Sequence, residues 1–339
     1  MRKFFRILAL PLCLFAVFPG SLCAGPAAET IVPESPARAP LVFTVPESLV
    51  QGDILCVLAR SPQANRIRGI FADLSGGDGK KVLSLGGFLL SPRGEAASAP
   101  NGGGAAPETG ETWAAIGGIS SVQAPGDYSL SLRAVCEGGE EEVFSASVRV
   151  LGRDFLGEDI PLNRAMSSLR ADSDPRKAAE SRELWELLVK TEASSVYHTG
   201  RLSPPVAGGF RESAFFGDRR TFLYTDGGKA ASIHYGLDYA TPRGTPVYAA
   251  GAGRVVMAKE RVLTGFSVVI EHLPGVYSLY YHLDKIGVKP DQIVKTGEKI
   301  GESGFTGLAT GPHLHWEVRA AANAVEPKNL LERALVPGE

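Results

Sequence analysis

The chain has 339 residues, of which 44% are hydrophobic and 21% charged, and its formal net charge is −2. That length leaves room for two or three domains with separate cores. The near-neutral charge excludes the basic signature of a nucleic-acid binder, and the ordinary hydrophobic content excludes a disordered chain.

Residues 1–24 read MRKFFRILALPLCLFAVFPGSLCA. A basic start, a short apolar run and small residues predict a secretory signal peptide, cleaved near Ala24; the run is too short to span a bilayer. The expected location is therefore exported: the periplasm or cell envelope, on the outer side of the inner membrane. Lipidation at Cys23 would need a lipobox, and the Gly-Ser-Leu before it is a poor one. No later segment is apolar enough for a transmembrane helix. Residues 25–40, rich in Ala, Pro and Glu, read as a flexible lead-in.

Residues 41–152 alternate strand-like runs with turns: LVFTV, ILCVLAR, IRGIFADL, KVLSLGGFLL, WAAIGGI, YSLSLRAVC and EVFSASVRVL. This pattern predicts an Ig-like antiparallel β-sandwich, an accessory domain interrupted by a low-complexity hairpin insert at 91–112. The domain has no histidine. Cys56 and Cys136 fall on an early and a late strand. Export would allow them to pair as a disulfide; the alternative is two separate buried thiols.

Residues 153–205 read as a helical linker. SDPRKAAESRELWELLVK predicts a helix with Asp174 as N-cap and Pro175 at the first helical position. Leu184, Leu187 and Leu188 recur at helical spacing, as for packing on a neighbouring domain. Residues 206–333 return to strands with glycine turns. GTPVYAAGAGRVVMAKE and DQIVKTGEKIGESGF look like two related halves. Biotinyl and lipoyl carriers share that character, but Met257-Ala258-Lys259 lies on a strand rather than a turn tip, and a carrier has no use for clustered histidines.

Of six histidines, five lie between 234 and 315. HYGLD at 234–238 pairs an imidazole with a carboxylate four residues on, in a Gly/Pro-rich context that rules out a helix. HLH at 313–315 is strand-like, so His313 and His315 share a face. SLYYHLD adds His282, with Tyr280 two residues earlier. His234, Asp238 and His315 would give a catalytic zinc three ligands and leave a position for water. No H-E-x-x-H glutamate is present, so the proton work falls to His282 or His313, with Tyr280 as a hydrogen-bond donor to an oxyanion. Glu317 could orient a ligand imidazole. Arg219 and Arg220 could hold a substrate carboxylate or close a turn. Asn163 could supply a fourth ligand to a latent enzyme.

These blocks resemble the lysostaphin/LytM-type zinc metallopeptidases, the beta-lytic or glycyl-glycine endopeptidases of the duplicated hybrid motif fold. The family's H-x-x-x-D matches His234 and Asp238, its H-x-H matches His313 and His315, and its Y-x-H-L matches Tyr280, His282 and Leu283. The resemblance covers roughly 206–330. It implies zinc on His234, Asp238 and His315, chemistry by His282 and His313, and peptidoglycan peptides as substrate. The expected molecule is a mainly β, monomeric, exported zinc metalloendopeptidase, with a wall-hydrolase or divisome protein as its further partner. The alternative is a catalytically silent module that binds the wall or activates another hydrolase, as family members that lost ligands do.

Overall fold

The computed structural model describes residues 28–31, 41–63, 66–91 and 110–338. The signal peptide, Cys23 and most of the 91–112 insert lie outside the described residues.

Ten strands form the N-terminal domain: β1 (Ala28–Ile31), β2 (Val42–Pro46), β3 (Ser48–Val50), β4 (Ile54–Ser61), β5 (Ile67–Ser75), β6 (Lys81–Gly86), β7 (Phe88–Ser91), β8 (Glu111–Gly118), β9 (Gly126–Cys136) and β10 (Glu141–Leu151). They make two five-stranded sheets, ordered β1-β2-β4-β8-β7 and β3-β10-β9-β5-β6. Alternate residues of both sheets, such as Phe43, Leu55, Val57, Ile70, Leu74, Leu130 and Val148, meet in one core. The run KVLSLGGFLL, read as one strand, is two. It breaks at Gly87, where a Cβ would lie 2.1 Å from Ile70 Cγ1, and the chain crosses there from one sheet to the other. Part of the expected lead-in is also structured: β1 pairs antiparallel with β2 along the sheet edge.

The stretch expected to be a helical linker begins as a strand. β11 (Gly157–Pro161) precedes α1 (Arg164–Ala171) and α2 (Pro175–Val189). Asp174 caps α2 by accepting the Arg176 N–H at 2.9 Å, with Pro175 first in the helix. Its Leu184, Leu187 and Leu188 pack on Met257, Val269, Tyr277 and Leu279, whereas Trp185 stays exposed.

The C-terminal domain comprises β12 (Glu212–Ala214), β13 (Arg219–Leu223), β14 (Lys229–Ile233), β15 (Gly236–Tyr239), β16 (Pro246–Tyr248), β17 (Gly253–Arg261), β18 (Gly265–Leu273), β19 (Val276–Ile286), β20 (Ile293–Val294), β21 (Lys299–Ser303), β22 (Leu314–Ala320), β23 (Asn323–Val325) and α3 (Pro327–Glu332). Its main sheet runs β12-β15-β22-β19-β18-β17-β20; off this path β21 pairs with β19 and with β16, and β23 pairs with β22. The two related halves pair with each other: β16 with β21, and β17 with β20. A smaller sheet is ordered β11-β13-β14, and β11 lies parallel to β13. The parallel pairing is possible because β11 arrives from outside the domain rather than through a hairpin. One face of the main sheet carries Val268, Ile270, Tyr280, Trp316 and Val318. These join Leu58, Phe88, Ala114 and Ile116 of the N-terminal domain in a common core. The opposite face carries Val269, Leu279 and Tyr281 and is partly covered by α2.

Cys56 and Cys136 are both free and buried. Cys56 faces the interdomain core and Cys136 lies at the end of β9 beside Glu142, so of the two alternatives the structure has the separate buried thiols.

Candidate active site

Two adjacent strands set the geometry. Asp238 on β15 stands directly opposite His315 on β22, so both side chains leave the same face. His234 sits between β14 and β15, held by its N–H to the Asp218 carbonyl and its carbonyl to the Gly217 N–H. Gly236 permits this approach, because a Cβ there would lie 2.3 Å from the Trp316 carbonyl oxygen.

His234 Nε2 lies 2.9 Å from His315 Nδ1 and 3.0 Å from Asp238 Oδ1, and His315 Nδ1 lies 2.7 Å from Asp238 Oδ1. The other ring nitrogens are committed. His234 Nδ1 is 2.8 Å from the Phe215 carbonyl oxygen, and His315 Nε2 is 3.0 Å from Glu317 Oε1. Each acceptor takes an N–H, so His234 Nε2 and His315 Nδ1 are the ring atoms aimed at one point, and a cation bound there would displace the proton that His315 Nδ1 otherwise shares with Asp238. Ligands at about 2.0–2.1 Å from a tetrahedral ion stand about 3.3 Å apart, so a small outward shift would admit a metal. The electrostatics agree. Burial opposes ionisation of Asp238, yet His234 and His315 hold its carboxyl well below the usual range. Burial also disfavours a charged His315, but Asp238 and Glu317 push its imidazole up to about 9. Glu317 is held at about 2 against its burial by Arg319 and His315. Converging donors beside two buried carboxylates fit a bound cation.

His282 and His313 line the same cavity, of about 440 Å³, as these three residues. His282 Nδ1 is 2.8 Å from the Thr306 carbonyl oxygen and His313 Nδ1 is 2.8 Å from that of Gly311. Both rings therefore keep Nε2 free; their centroids lie 4.7 Å apart, and His313 Nε2 is 3.9 Å from Asp238 Oδ1. Burial, reinforced by His313 and His315, pushes His282 down to about 3, and burial lowers His313 as well. Both are neutral bases at neutral pH.

Tyr280 does not join them. It is fully buried in the core, where its hydroxyl accepts from the Ala250 N–H at 2.8 Å and the Ser278 hydroxyl at 2.9 Å. The expectation rested on strand alternation, and the alternation fails at His282. Its φ of 59° turns the chain left-handed, and its N–H bonds the Thr264 carbonyl instead of a ladder partner. The turn brings His282 to the cavity face, where regular alternation already places Tyr281 opposite His315. The Tyr281 ring stacks on His315 with centroids 5.5 Å apart and an interplanar angle of 4°. The Tyr-Tyr doublet was the only sequence signal for it.

Arg220 reaches the site, with a guanidinium nitrogen 3.2 Å from Asp238 Oδ2. Arg219 turns away, donating to the Ser121 carbonyl of the N-terminal domain at 2.7 Å. Asn163 does not approach the cavity as a fourth ligand; its side chain caps α1 by accepting the Met166 N–H. Sequence reasoning missed Ile160, Met166 and Arg170, which bring β11 and α1 into the cavity wall.

Comparison with known proteins places this geometry. Residues 232–327 match the model of Peptidase family M23. The peptidoglycan DD-endopeptidase ShyB of Vibrio cholerae is 51% identical over 85 residues, 25% of this chain and 20% of that protein. The peptidoglycan DD-endopeptidase ShyA of the same species is 46% identical over 114 residues, 34% of this chain and 26% of that protein. The chain thus spans about a fifth to a quarter of the length of these relatives. A crystal structure of a candidate M23 peptidase from Pseudomonas aeruginosa superposes with a TM-score of 0.52 at 24% identity, over 84% of this chain and 95% of that one. That likeness shows a shared fold.

Proposed function

From the match of residues 232–327 to the model of Peptidase family M23 we propose that the chain is an exported zinc metalloendopeptidase that hydrolyses peptide bonds of peptidoglycan. One observation carries the reading. Three converging donors, two of them imidazoles whose other ring nitrogens are committed, share a cavity with two further imidazoles whose Nε2 atoms are free. The two relatives named as peptidoglycan DD-endopeptidases support the substrate class, and a DD cross-link is the first bond to test.

His234, Asp238 and His315 would hold the ion. Bound there, zinc supplies a water acidified to near neutrality and a Lewis acid for the scissile carbonyl. His282 and His313, kept neutral by burial, take up a proton at Nε2 and return it to the leaving amine. The imidazole that is not the base, whose Nδ1–H is already given to a backbone carbonyl, donates to the developing oxyanion only when its Nε2 also carries a proton. Tyr281 stacks on His315 and, with the Glu317 hydrogen bond, fixes that ring. Arg220 offsets the charge of Asp238. The alternative of a silent module rests on ligand loss, and here all five residues are present and assembled.

The test is digestion of purified sacculi by the mature chain, with and without chelator, with released peptides identified by mass spectrometry. Chelator-sensitive release of cross-link cleavage products is expected. An inert, zinc-loaded chain that only raises the activity of a partner hydrolase would favour the silent module.

A further inference from the structure

The cavity has a wall that the M23 match does not cover. Met166 and Arg170 come from α1, and Arg211 precedes β12; all three lie before residue 232. The Arg170 guanidinium carbon sits 4.1 Å from the centroid of Phe222, so stacking fixes its plane. Its Nε is buried without a hydrogen-bond partner. Among the described residues, neither Arg170 nor Arg211 has a carboxylate within ion-pair distance, whereas Arg220 is taken by Asp238 and Glu158. The acids nearest the metal donors are likewise taken: Asp238 by the histidines and Arg220, Glu317 by His315 and Arg319. The cavity is left with two arginines that no carboxylate among the described residues pairs with. A guanidinium held flat by an aromatic ring presents its N–H edge to a planar, two-oxygen acceptor.

We propose that Arg170, with Arg211 lining the same cavity, binds a free carboxylate of the substrate on a residue flanking the scissile bond, so that the segment between the domains sets specificity. This rests on the peptidase reading above. It names the substrate class more narrowly: wall peptides whose diamino acid, or the residue next to it, keeps its carboxylate unamidated. A purely structural Arg170, serving only the last turn of α1 and Phe222, would be indifferent to that group.

The test uses the full zinc-loaded chain and two cross-linked peptides that differ only in a free or amidated carboxylate beside the scissile bond. Wild type should have a KM roughly tenfold lower for the acid. Arg170→Gln should raise KM for the acid alone and bring the two substrates within about threefold. Arg170→Lys should restore part of the preference, keeping the charge but losing the fork. Equal KM values in wild type, or a preference that survives in the Arg170→Gln/Arg211→Gln double variant, would overturn the proposal. Calorimetric binding of the same peptides to zinc-loaded His313→Ala separates it from the peptidase reading. Tighter binding of the acid, lost with Arg170→Gln, supports the carboxylate site even if nothing is cleaved. Indistinguishable binding refutes it.

Discussion

At the scale of single residues, the proposed function divides the cavity between residues that would hold the ion and residues that would move protons. His315→Ala removes a converging donor and should leave the purified protein with little metal, measured by elemental analysis. Glu317→Gln weakens the acceptor that orients His315 and should lower metal affinity by about 10–100-fold. His282→Ala and His313→Ala should retain metal and lose roughly 10²–10⁴ in rate each; a variant that digests sacculi at the wild-type rate would make its histidine structural. Tyr280 belongs to neither group. Its hydroxyl serves the Ala250 N–H in the core, so Tyr280→Phe should cost about 1–2 kcal/mol of stability and leave the rate nearly unchanged. A large loss of rate at full stability would return Tyr280 to the chemistry. His272 gives a pH test away from the metal donors. It is buried against the Ala252 carbonyl and the Ser278 hydroxyl, with His198 the titratable ring facing it at 6.1 Å. Burial, and to a lesser degree His198, pushes its imidazole down to about 4. The folded state thus binds this proton less readily than the unfolded chain. The stabilisation is full above the ordinary histidine pKa near 6.5 and is lost as pH falls toward 4, by on the order of 3 kcal/mol. Urea unfolding between pH 7.5 and 4 should show wild type losing nearly one proton's worth more slope than His272→Gln; parallel slopes would contradict it.

At the scale of elements, β11, α1 and α2 matter most. A boundary at residue 206, drawn from the sequence, would cut β11 from β13 and strip α2 from Met257, Val269 and Tyr277. A fragment starting at 206 should therefore melt well below the full chain and digest sacculi poorly, because it exposes a strand edge and an apolar face together. Equal melting temperature and rate would show the segment to be dispensable. The stretch was legible only in part. α2 announced itself through Asp174, Pro175 and its leucine spacing. β11 is five residues, GEDIP, with two charges and a terminal proline, and only its partner β13 makes it a strand.

At the scale of the whole molecule the two domains share one core. Leu58, Phe88 and Ile116 pack with Val325, Leu330 and Leu335, and polar contacts surround them. Arg153 meets Glu326 at 2.7 Å, Asn329 donates to Asp53 at 2.7 Å, and the Glu326 N–H donates to the Gly52 carbonyl. An interface this continuous predicts a single calorimetric unfolding transition; two resolved transitions would mean that the domains melt independently. Cys56 lies in that interface, and burial pushes its thiol up to about 12. It should resist a thiol reagent in the native chain and react only once the domains open.

The sequence by itself carried the chemistry, because a metal site is written in residue types at short spacing. His234 with Asp238, and His313 with His315, each lie within one turn or strand, where backbone geometry alone decides which side chains share a face. It carried the sandwich strands and α2 for the same reason, since period and capping are local. Tertiary structure decided what depends on distant partners. His282 parts from Tyr280 and joins Tyr281 at the cavity because the Thr264 carbonyl holds it in a left-handed turn. The two cysteines stay apart because Cys56 faces away from the sandwich core toward the C-terminal domain, while Cys136 ends β9 beside Glu142. Arg170 lines the cavity because β11 pairs with β13 and carries α1 to its edge. None of these pairings leaves a periodic mark, since each joins residues far apart along the chain through contacts that form only when the core closes.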